Sequence, residues 1–523
     1  MADDDKRKFN IPWATLLPLI AVLGGIVAQY KPLVSTRPRV PSEKPVPVLA
    51  KQDVDARLWQ DPIGVAQKQK SVVDAQLGAA ATKNGTSELH DIHALVELLH
   101  KRATDIPDQE RILLLAVMLD AGPYSEQGES RLRARQAVLE GLSESGFVPV
   151  DGEHIGFVTA AWPPSQEGID GMRPKEGALL LPWEECEAMD DPARVYPRNT
   201  RCVVIVWLPA VSFNPYPLSR FANIVDQLAG DIRHKIDIKL IGPANSTGLQ
   251  NMIREVRAHT LRTKEQDSLK EISIVSPSAT ASDETMLFEP SPPDEATEVR
   301  SAWGQKTVQM YLEEAVPGLK FLRTIATDDV VLEKLIAELA RRRVEVLGQT
   351  TRNTRQLSKP AHVVILFEWD TPYGRSLGAT FAMQASGQSI NEIIQQPEKR
   401  PRWIHSYRYL RGIDGQLPGL SGDQAKENQQ REQGQKTQLG QDTVAIEATE
   451  GLNQSDYLRR LAHQIKEDNT RWQREDGSGI RAIGLLGSDI YDKFMILRAL
   501  RPQFPDAVFF TNNYDAHFER RDV

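Results

Sequence analysis

Two pieces of sequence, KFLRTIATDD at 320–329 and HVVILFEWDTPYGRSL at 362–377, decide the fold class of this chain. The first piece predicts a strand that runs into a helix over 330–340, because Asp328 or Asp329 can cap that helix. The apolar run VVILF inside the second piece is typical of a strand that is buried on both faces of a parallel sheet. The turn that follows carries proline and glycine, and we expect the next helix to begin near Ser376.

The same alternation of strands and helices extends from Arg111 to Phe518. Further strands are predicted at 111–119, 202–210, 236–241, 272–275, 403–410, 480–486 and 507–511, and further helices at 131–145, 218–233, 248–260, 376–385, 455–466 and 489–500. This order predicts an α/β fold with parallel sheets and right-handed crossovers. Residues 149–201 and 284–300 are expected to be irregular. The polar segment 415–441 is expected to be a disordered insert.

Four segments together resemble one family. They are IKLIGPANST at 238–247, EISIVSPSAT at 271–280, FLRTIATDD at 321–329 and VVILFEWDTPYGRSLGATF at 363–381, and they are similar to the type I periplasmic-binding proteins, which include amino-acid-binding proteins and receptor ligand-binding domains. The resemblance implies two lobes, each a mostly parallel sheet flanked by helices, at 104–318 and 319–523. It also implies that a small polar or anionic ligand binds between the lobes.

Some ligand-binding residues are expected from the resemblance alone. Ser278, Ala279 and Thr280 would hold a ligand's polar head through backbone groups and the threonine hydroxyl, and Tyr373 would close from the other lobe. Asp489 or Ser488, after the predicted strand at 480–486, would bind an ammonium group. A helix N-cap is the alternative role for Asp489.

A Gly-Pro turn precedes a second group of candidates, Asn245, Ser246 and Thr247. In an open α/β sheet, ligands bind at the carboxyl ends of the strands, and this turn directly follows a predicted strand. The backbone amides of these three residues, at a helix N-terminus, suit a carboxylate or another anion. Ser246 and Thr247 are equally good N-caps without any ligand.

A charge-free run of 20 residues at 11–30 is long enough to span a bilayer, with Trp13 and Tyr30 as interfacial anchors. A cleaved signal peptide is the alternative, because IVA before Gln29 is a possible cleavage site. Basic residues flank the run almost equally on both sides. We favour an uncleaved single-pass anchor in a bacterial-type inner membrane, with the lobes in the periplasm. A proline-rich stalk at 31–52 and a helical segment at 53–103 would join the anchor to the lobes.

Composition narrows the function further. Lys and Arg total 63 against 71 acids, so no general attraction to nucleic acid is expected. The two cysteines, Cys186 and Cys202, are either one bridge or two free thiols. His90, His93, Glu97 and His100 lie on one predicted helical stripe, for which a solvated polar face is favoured over a metal site. We expect no metal and no cofactor.

The hydrolase elbow, the phosphate-binding loop, the zinc-protease motif and the C-x-x-C motif are all missing from the sequence. The leading hypothesis is therefore a membrane-anchored binding or sensory protein, not an enzyme, whose lobes close over a small ligand. The alternative is a bilobal scaffold that has lost its ligand and binds a protein partner at the membrane. The polar insertions favour this alternative, as does the lack of the family's final crossover. A hydrolase or transferase is a third, less favoured hypothesis.

Overall fold

A computed structural model of the protein describes residues 60–80, 91–120, 125–150, 155–160, 179–189, 199–288, 306–347, 361–395, 401–413 and 451–519. The predicted anchor at 11–30, the stalk at 31–52 and the insert at 415–441 lie outside these residues. Of the helices in the described ranges, none is long and apolar enough to cross a membrane.

Twelve strands are described: β1 (Arg111–Leu119), β2 (Phe147–Pro149), β3 (Gly156–Ala160), β4 (Leu179–Ala188), β5 (Thr200–Pro209), β6 (Ile236–Ile241), β7 (Ser273–Ser276), β8 (Lys320–Arg323), β9 (His362–Glu368), β10 (Ile404–Tyr409), β11 (Ile480–Leu486) and β12 (Val508–Thr511). The described α-helices are α1 (Pro62–Ala80), α2 (Ile92–Asp105), α3 (Ser125–Glu144), α4 (Ala210–Phe213), α5 (Pro217–Ala229), α6 (Ser246–Arg257), α7 (Thr263–Leu269), α8 (Asp283–Leu287), α9 (Val308–Ala315), α10 (Asp328–Arg341), α11 (Pro372–Ser386), α12 (Ile390–Gln395), α13 (Gly451–Asp476) and α14 (Ile490–Leu500). Two 3₁₀ helices, Gly230–Lys235 and Ala516–Glu519, complete the described elements.

The first sheet has the strand order β2-β4-β5-β1-β6-β7-β8, and β3 also pairs with β4. The five strands from β5 to β8 in this order are parallel, whereas β4 is antiparallel to β5. Numbered along the chain, the parallel strands lie in the order 2-1-3-4-5. This is a doubly wound arrangement, in which the strand order reverses between β1 and β6.

The second sheet has the order β10-β9-β11-β12, and all of its strands are parallel. Numbered along the chain they lie in the order 2-1-3-4, so the first parallel strand is again flanked by the second and the third. The strand order reverses between β9 and β11, and ligand sites of open α/β sheets lie at the carboxyl ends beside such a reversal. The prediction of a mixed α/β fold with mostly parallel sheets and flanking helices is confirmed.

Hydrophobic patterning explains why these segments pack as they do. All seven residues of β9 are buried, as expected of a central parallel strand with helices on both faces. Helix α5 buries Leu218, Phe221, Val225 and Leu228 along one face, at the spacings of 3, 4 and 3 residues that one helical face requires. These side chains belong to the core beneath the first sheet.

The prediction of an irregular region at 149–201 is wrong where the structure describes it, because β3 and β4 lie there. Strand β4 carries three glutamates, a composition that disfavours a buried strand. Burial is possible because the fully buried Arg135 forms an ion pair of 2.6 Å with Glu184, and the indole of Trp207 donates to the same carboxylate. Cys186 and Cys202, on the neighbouring strands β4 and β5, are buried free thiols, so the disulfide alternative is wrong.

Helix starts are displaced from the predicted ones by local capping. Helix α10 is preceded by Thr327 at the N-cap position, so the predicted caps Asp328 and Asp329 lie in its first turn. Helix α11 begins at Pro372 rather than near Ser376. Its N-cap hydroxyl, on Thr371, accepts a hydrogen bond of 2.9 Å from the Gly374 amide.

The segment before the first sheet is helical where it is described, in α1 and α2. His93 and His100 lie on α2, whereas His90 lies outside the described residues. In the described ranges, no group of three or more His, Cys, Asp or Glu side chains is arranged to hold a metal ion.

Candidate functional site

Glu368 ends β9, next to the point where the strand order of the second sheet reverses. Its carboxylate is fully buried. It accepts hydrogen bonds from the hydroxyls of Thr371 and Ser488 and from the backbone amides of Ser488 and Asp489. This side chain therefore ties the loop after β9 to the loop after β11.

Two glycines allow this close approach. A Cβ at Gly374 would clash with the backbone oxygen of Glu368, and a Cβ at Gly487 would clash with the hydroxyl of Tyr409 and the carboxylate of Glu368. Neither position has room for a side chain. The glycines of the DTPYG and LLGSD sequences are thus explained by packing around one buried carboxylate.

Lys493, on α14, is fully buried at the same edge of the sheet. Its ammonium donates to the hydroxyl of Thr511 at 3.0 Å, to the amide oxygen of Asn512 at 3.1 Å and to the amide oxygen of Asn513. Burial lowers the pKa of Lys493 to about 8, against the opposing attraction of nearby carboxylates, of which Glu368 is the strongest. The side chain is therefore mainly charged at neutral pH.

A chain of hydrogen bonds leads from Lys493 across to the first sheet. The amide nitrogen of Asn512 donates to the hydroxyl of Tyr373 at 3.1 Å, and Tyr373 is hydrogen bonded to the side chain of Thr280. The hydroxyl of Thr280 donates to the Asp328 carboxylate at 3.1 Å. The side chains of Lys493, Asn512, Tyr373, Thr280 and Asp328 thus form one polar connection from the ammonium to the carboxylate.

We call these five residues the junction chain. They come from the carboxyl ends of both sheets, since Thr280 follows β7, Asp328 follows β8, Tyr373 follows β9 and Asn512 follows β12. Burial raises the pKa of Asp328 to about 6. Between about pH 6 and pH 8 the chain therefore has an anion at one end and a cation at the other.

Arg323, at the end of β8, lies beside the Asp328 end of the junction chain. Its guanidinium contacts Asp283 at 3.2 Å and the backbone oxygen of Ala281 at 2.9 Å. Burial lowers the pKa of Arg323, and the nearby carboxylates of Asp283 and Asp328 oppose this effect. One guanidinium therefore faces several carboxylates, which gives this end of the junction chain an excess of negative charge.

Three buried polar atoms near the junction chain have no hydrogen-bond partner within the described part of the chain. They are the hydroxyl of Ser276 at the end of β7, one carboxylate oxygen of Asp329 and the hydroxyl of Tyr409. Buried polar atoms in folded proteins nearly always have a partner, which is commonly water or a bound molecule.

The structure brings together two of the predicted site residues from different sheets, Thr280 and Tyr373. Asp489 is the N-cap of α14 and accepts from the amides of Tyr491 and Asp492, as the alternative for this residue predicted. Of the residues before Thr280, Ala279 is buried and Ser278 is exposed. A role in ligand binding stays a prediction for all of them.

The second predicted group is used inside the protein. Asn245 is the N-cap of α6, so the caps predicted at Ser246 and Thr247 are wrong by one and two residues. The Asn245 side chain accepts from the amide of Gly248 at 2.9 Å. The buried hydroxyl of Ser246 accepts from the backbone amide of Ala281 at 3.0 Å, which ties the start of α6 to the loop that follows β7. Thr247 is half-buried in the first turn of the helix.

Sequence reasoning missed Glu368, Asp328, Lys493 and Asn512 as members of the site. Asp328 was considered as a helix cap only, and Lys493 lies in the first turn of a helix whose residues are mostly buried. The pair of asparagines directly after the apolar strand at 507–511 was the one available signal, because polar residues at the carboxyl end of a buried strand are typical of α/β binding sites.

The chain was compared with protein-family models and with curated proteins, and neither comparison returned a match.

Proposed function

We propose that this protein binds a small polar ligand at the junction chain, between the carboxyl ends of its two sheets. The observation that carries the proposal is the run of polar contacts from Lys493 to Asp328, which joins both sheets through neutral side chains. Such a run has opposite charges at its two ends and hydroxyl and amide groups between them. These are the groups that fix the orientation of small polar ligands in protein sites.

The charges define the ligand class. Near pH 7 the Lys493 ammonium suits a carboxylate, and the acidic group around Asp328 suits an ammonium. A zwitterion with both groups, such as a free amino acid, complements the two ends together. A simple anion would use only the Lys493 end.

The proposal includes two lobes that move as units, one around each sheet, and close over the ligand by a hinge. The resemblance of four sequence segments to the type I periplasmic-binding proteins supports this part. Membrane anchorage through 11–30, with the lobes in the periplasm, belongs to the same proposal. A reporter fused after Val48 is expected to be active only outside the cytoplasm, and activity of a cytoplasmic reporter at that point would reverse the orientation.

A second candidate function is a scaffold that binds a protein partner and no small ligand. One observation favours it: Lys493 and Glu368 already satisfy their charges with groups of this chain. Under this hypothesis the junction chain is a structural tie between the two sheets. Substitutions in it would then change stability without changing any affinity for a small molecule.

A thermal-shift screen of zwitterions, small anions and neutral polar compounds tests the proposal on the full-length protein. Ligand at 100 times its Kd adds about 2.7 kcal/mol of stability. Thr280→Ala is expected to weaken binding of a hit by roughly 1.5–3 kcal/mol, the usual cost of losing a hydrogen bond to a charged group. Tyr373→Ala is expected to weaken it as well. Thr470→Ala, which removes an exposed hydroxyl on α13, is the matched control.

Affinity and stability have to be measured separately in these variants, because Thr280 and Tyr373 also tie the sheets together. The same holds for Ser246→Ala, which loses the bond to Ala281 and is expected to weaken an anionic ligand. A hit that binds all variants with unchanged affinity would contradict the junction site. A screen without any hit would favour the scaffold.

A further inference from the structure

A separate cavity of about 1140 Å³ lies on the other side of α11 from the junction chain. Residues Arg375, Ala379 and Ala382 of α11 line the cavity. They lie on the face opposite Tyr373, because 3.6 residues per turn place them about half a turn away. We call this cavity the arginine groove. Its other walls come from α6, α8, α12, β10 and α13.

The arginine groove has an aliphatic floor from α11 and α12, and its apolar lining also includes Phe288, Phe367, Trp369, Tyr407 and Tyr457. Ala379 and Ala382 of α11 line it together with Ile390, Ile393 and Ile394 of α12. Ile394 is 40% exposed although it is large and apolar. An apolar surface inside a concave site is the usual lining for the apolar part of a ligand.

Four arginines line the same groove: Arg254, Arg375, Arg408 and Arg460. Among the described residues that line it, none is aspartate or glutamate. Arg460 is paired with Asp456 at 2.9 Å. The other three form no ion pair with a carboxylate in the part of the chain that the structure describes. The groove is therefore strongly positive.

Two of these arginines are held in place by the protein. The guanidinium of Arg408 stacks over the ring of Trp369, 3.7 Å from its centroid. Arg375 donates to the backbone oxygen of Trp369 at 2.5 Å, and its guanidinium lies 5.9 Å from the same ring. Trp369 is thus a support for two cations. Burial lowers the pKa of Arg375, the positive charge of Arg254 lowers it further, and the nearby carboxylate of Asp370 opposes both effects. The two guanidiniums therefore repel each other.

We propose that the arginine groove is a second binding site, which takes a free anionic amphiphile with an aliphatic chain. The carboxylate or phosphate head lies among Arg254, Arg375 and Arg408, and the chain lies on the alanine and isoleucine floor. An anion relieves the repulsion between Arg254 and Arg375. The apolar part of the ligand is an aliphatic chain, because Ala379, Ala382, Ile390 and Ile393 belong to one contiguous apolar cluster on which such a chain can lie.

Calorimetric titration of the full-length protein with decanoate below its micelle concentration tests this site, in buffer without detergent. Decanoate is expected to bind, and decanol, which has the same chain without the charge, is expected to bind at least tenfold more weakly. Octanoate has two methylene groups fewer than decanoate and is expected to bind roughly tenfold more weakly than decanoate. Equal binding of decanoate and decanol, or no binding of decanoate, would overturn the proposal.

Matched variants locate the site. Arg254→Gln is expected to weaken decanoate binding roughly 10-fold to 100-fold, because a hydrogen-bonded charge is lost. Ile394→Asn is expected to weaken decanoate binding as well, because it replaces an apolar side chain of the floor by a polar one. Both side chains are exposed, so both variants are expected to fold, which a thermal-unfolding curve checks. Arg498→Gln, an equal change of charge on exposed α14 surface, is expected to leave binding unchanged.

The same titration separates this proposal from two others. Loss of binding in Arg498→Gln equal to that in Arg254→Gln would show a general effect of net charge and would overturn the groove site. Sedimentation with vesicles of phosphatidylglycerol and phosphatidylcholine distinguishes a membrane surface from a free ligand. Binding to vesicles that depends on Arg254, with no binding of free decanoate, would overturn the proposal in favour of a lipid-surface contact.

Discussion

Tyr373→Phe removes the central hydroxyl of the junction chain and keeps the aromatic ring. The hydroxyl accepts from Asn512 at 3.1 Å and is bonded to Thr280, so two hydrogen bonds are lost. At a net 0.5–1.5 kcal/mol for each bond, we expect the contact between the sheets to lose about 1–3 kcal/mol. The ring contacts the cores on both sides and should be unaffected, so no cavity cost is added.

Hydrogen exchange measured by mass spectrometry reports this loss locally. Peptides that cover the loop after β7 and the loop after β12 are expected to open roughly 5-fold to 150-fold more often in the variant. Tyr514→Phe is the matched control, because Tyr514 is 68% exposed and donates to Glu519 at the surface. Unchanged exchange of both loops in Tyr373→Phe would refute the claim that this hydroxyl joins the sheets.

Three further predictions concern the rest of the protein. Gly374→Ala is expected to lower the thermal-unfolding midpoint, because the added Cβ clashes with Glu368. Gly141→Ala, inside α3, has nothing near the added Cβ and should stabilise the protein by about 0.5–1 kcal/mol. Equal effects of the two substitutions would contradict the close packing at Gly374. Burial raises the pKa of Glu255 from 4.5 to about 7. The protonated carboxyl therefore stabilises the folded state fully below pH 4.5, and this stabilisation, roughly 3 kcal/mol, is lost as the pH rises through about 7. Urea unfolding should show a flatter pH dependence in Glu255→Gln than in the wild type, and an identical dependence would contradict this. Burial raises the pKa of Cys202 to about 11, so a thiol reagent at pH 8 should modify it only after unfolding.

The sequence predicts the parallel strands well. The predicted bounds of β1, β6 and β11 agree with the structure, because β1 and β11 are mainly apolar runs and β6 alternates apolar and polar residues. The prediction is wrong for β4, whose glutamates are compatible with a strand only once Arg135 and Arg102 lie beside them. These partners are far away in the chain, so no local pattern contains them.

Only part of the candidate site could be predicted from the sequence. Thr280 and Tyr373 were identified from the resemblance of their segments to a known family, and the structure places both after strands at the carboxyl edge. Lys493 was missed because lysine is rarely fully buried, and a helical pattern cannot show that Asn512 and Asn513 will surround its ammonium. Asp328 was identified with the wrong role, since its bond to Thr280 joins two residues that are 48 apart in the chain and follow different strands.

The most direct test of the central claim is hydrogen exchange of the full-length protein with and without the strongest zwitterionic hit of the thermal-shift screen. A ligand at the junction chain contacts groups that follow β7 and β12, so we predict that both loops become protected together. We also predict that Thr280→Ala strongly reduces protection of both loops at a ligand concentration equal to the wild-type Kd, because binding is about 10-fold to 150-fold weaker. Protection of one loop alone, or protection that is unchanged in Thr280→Ala, would contradict binding between the two sheets.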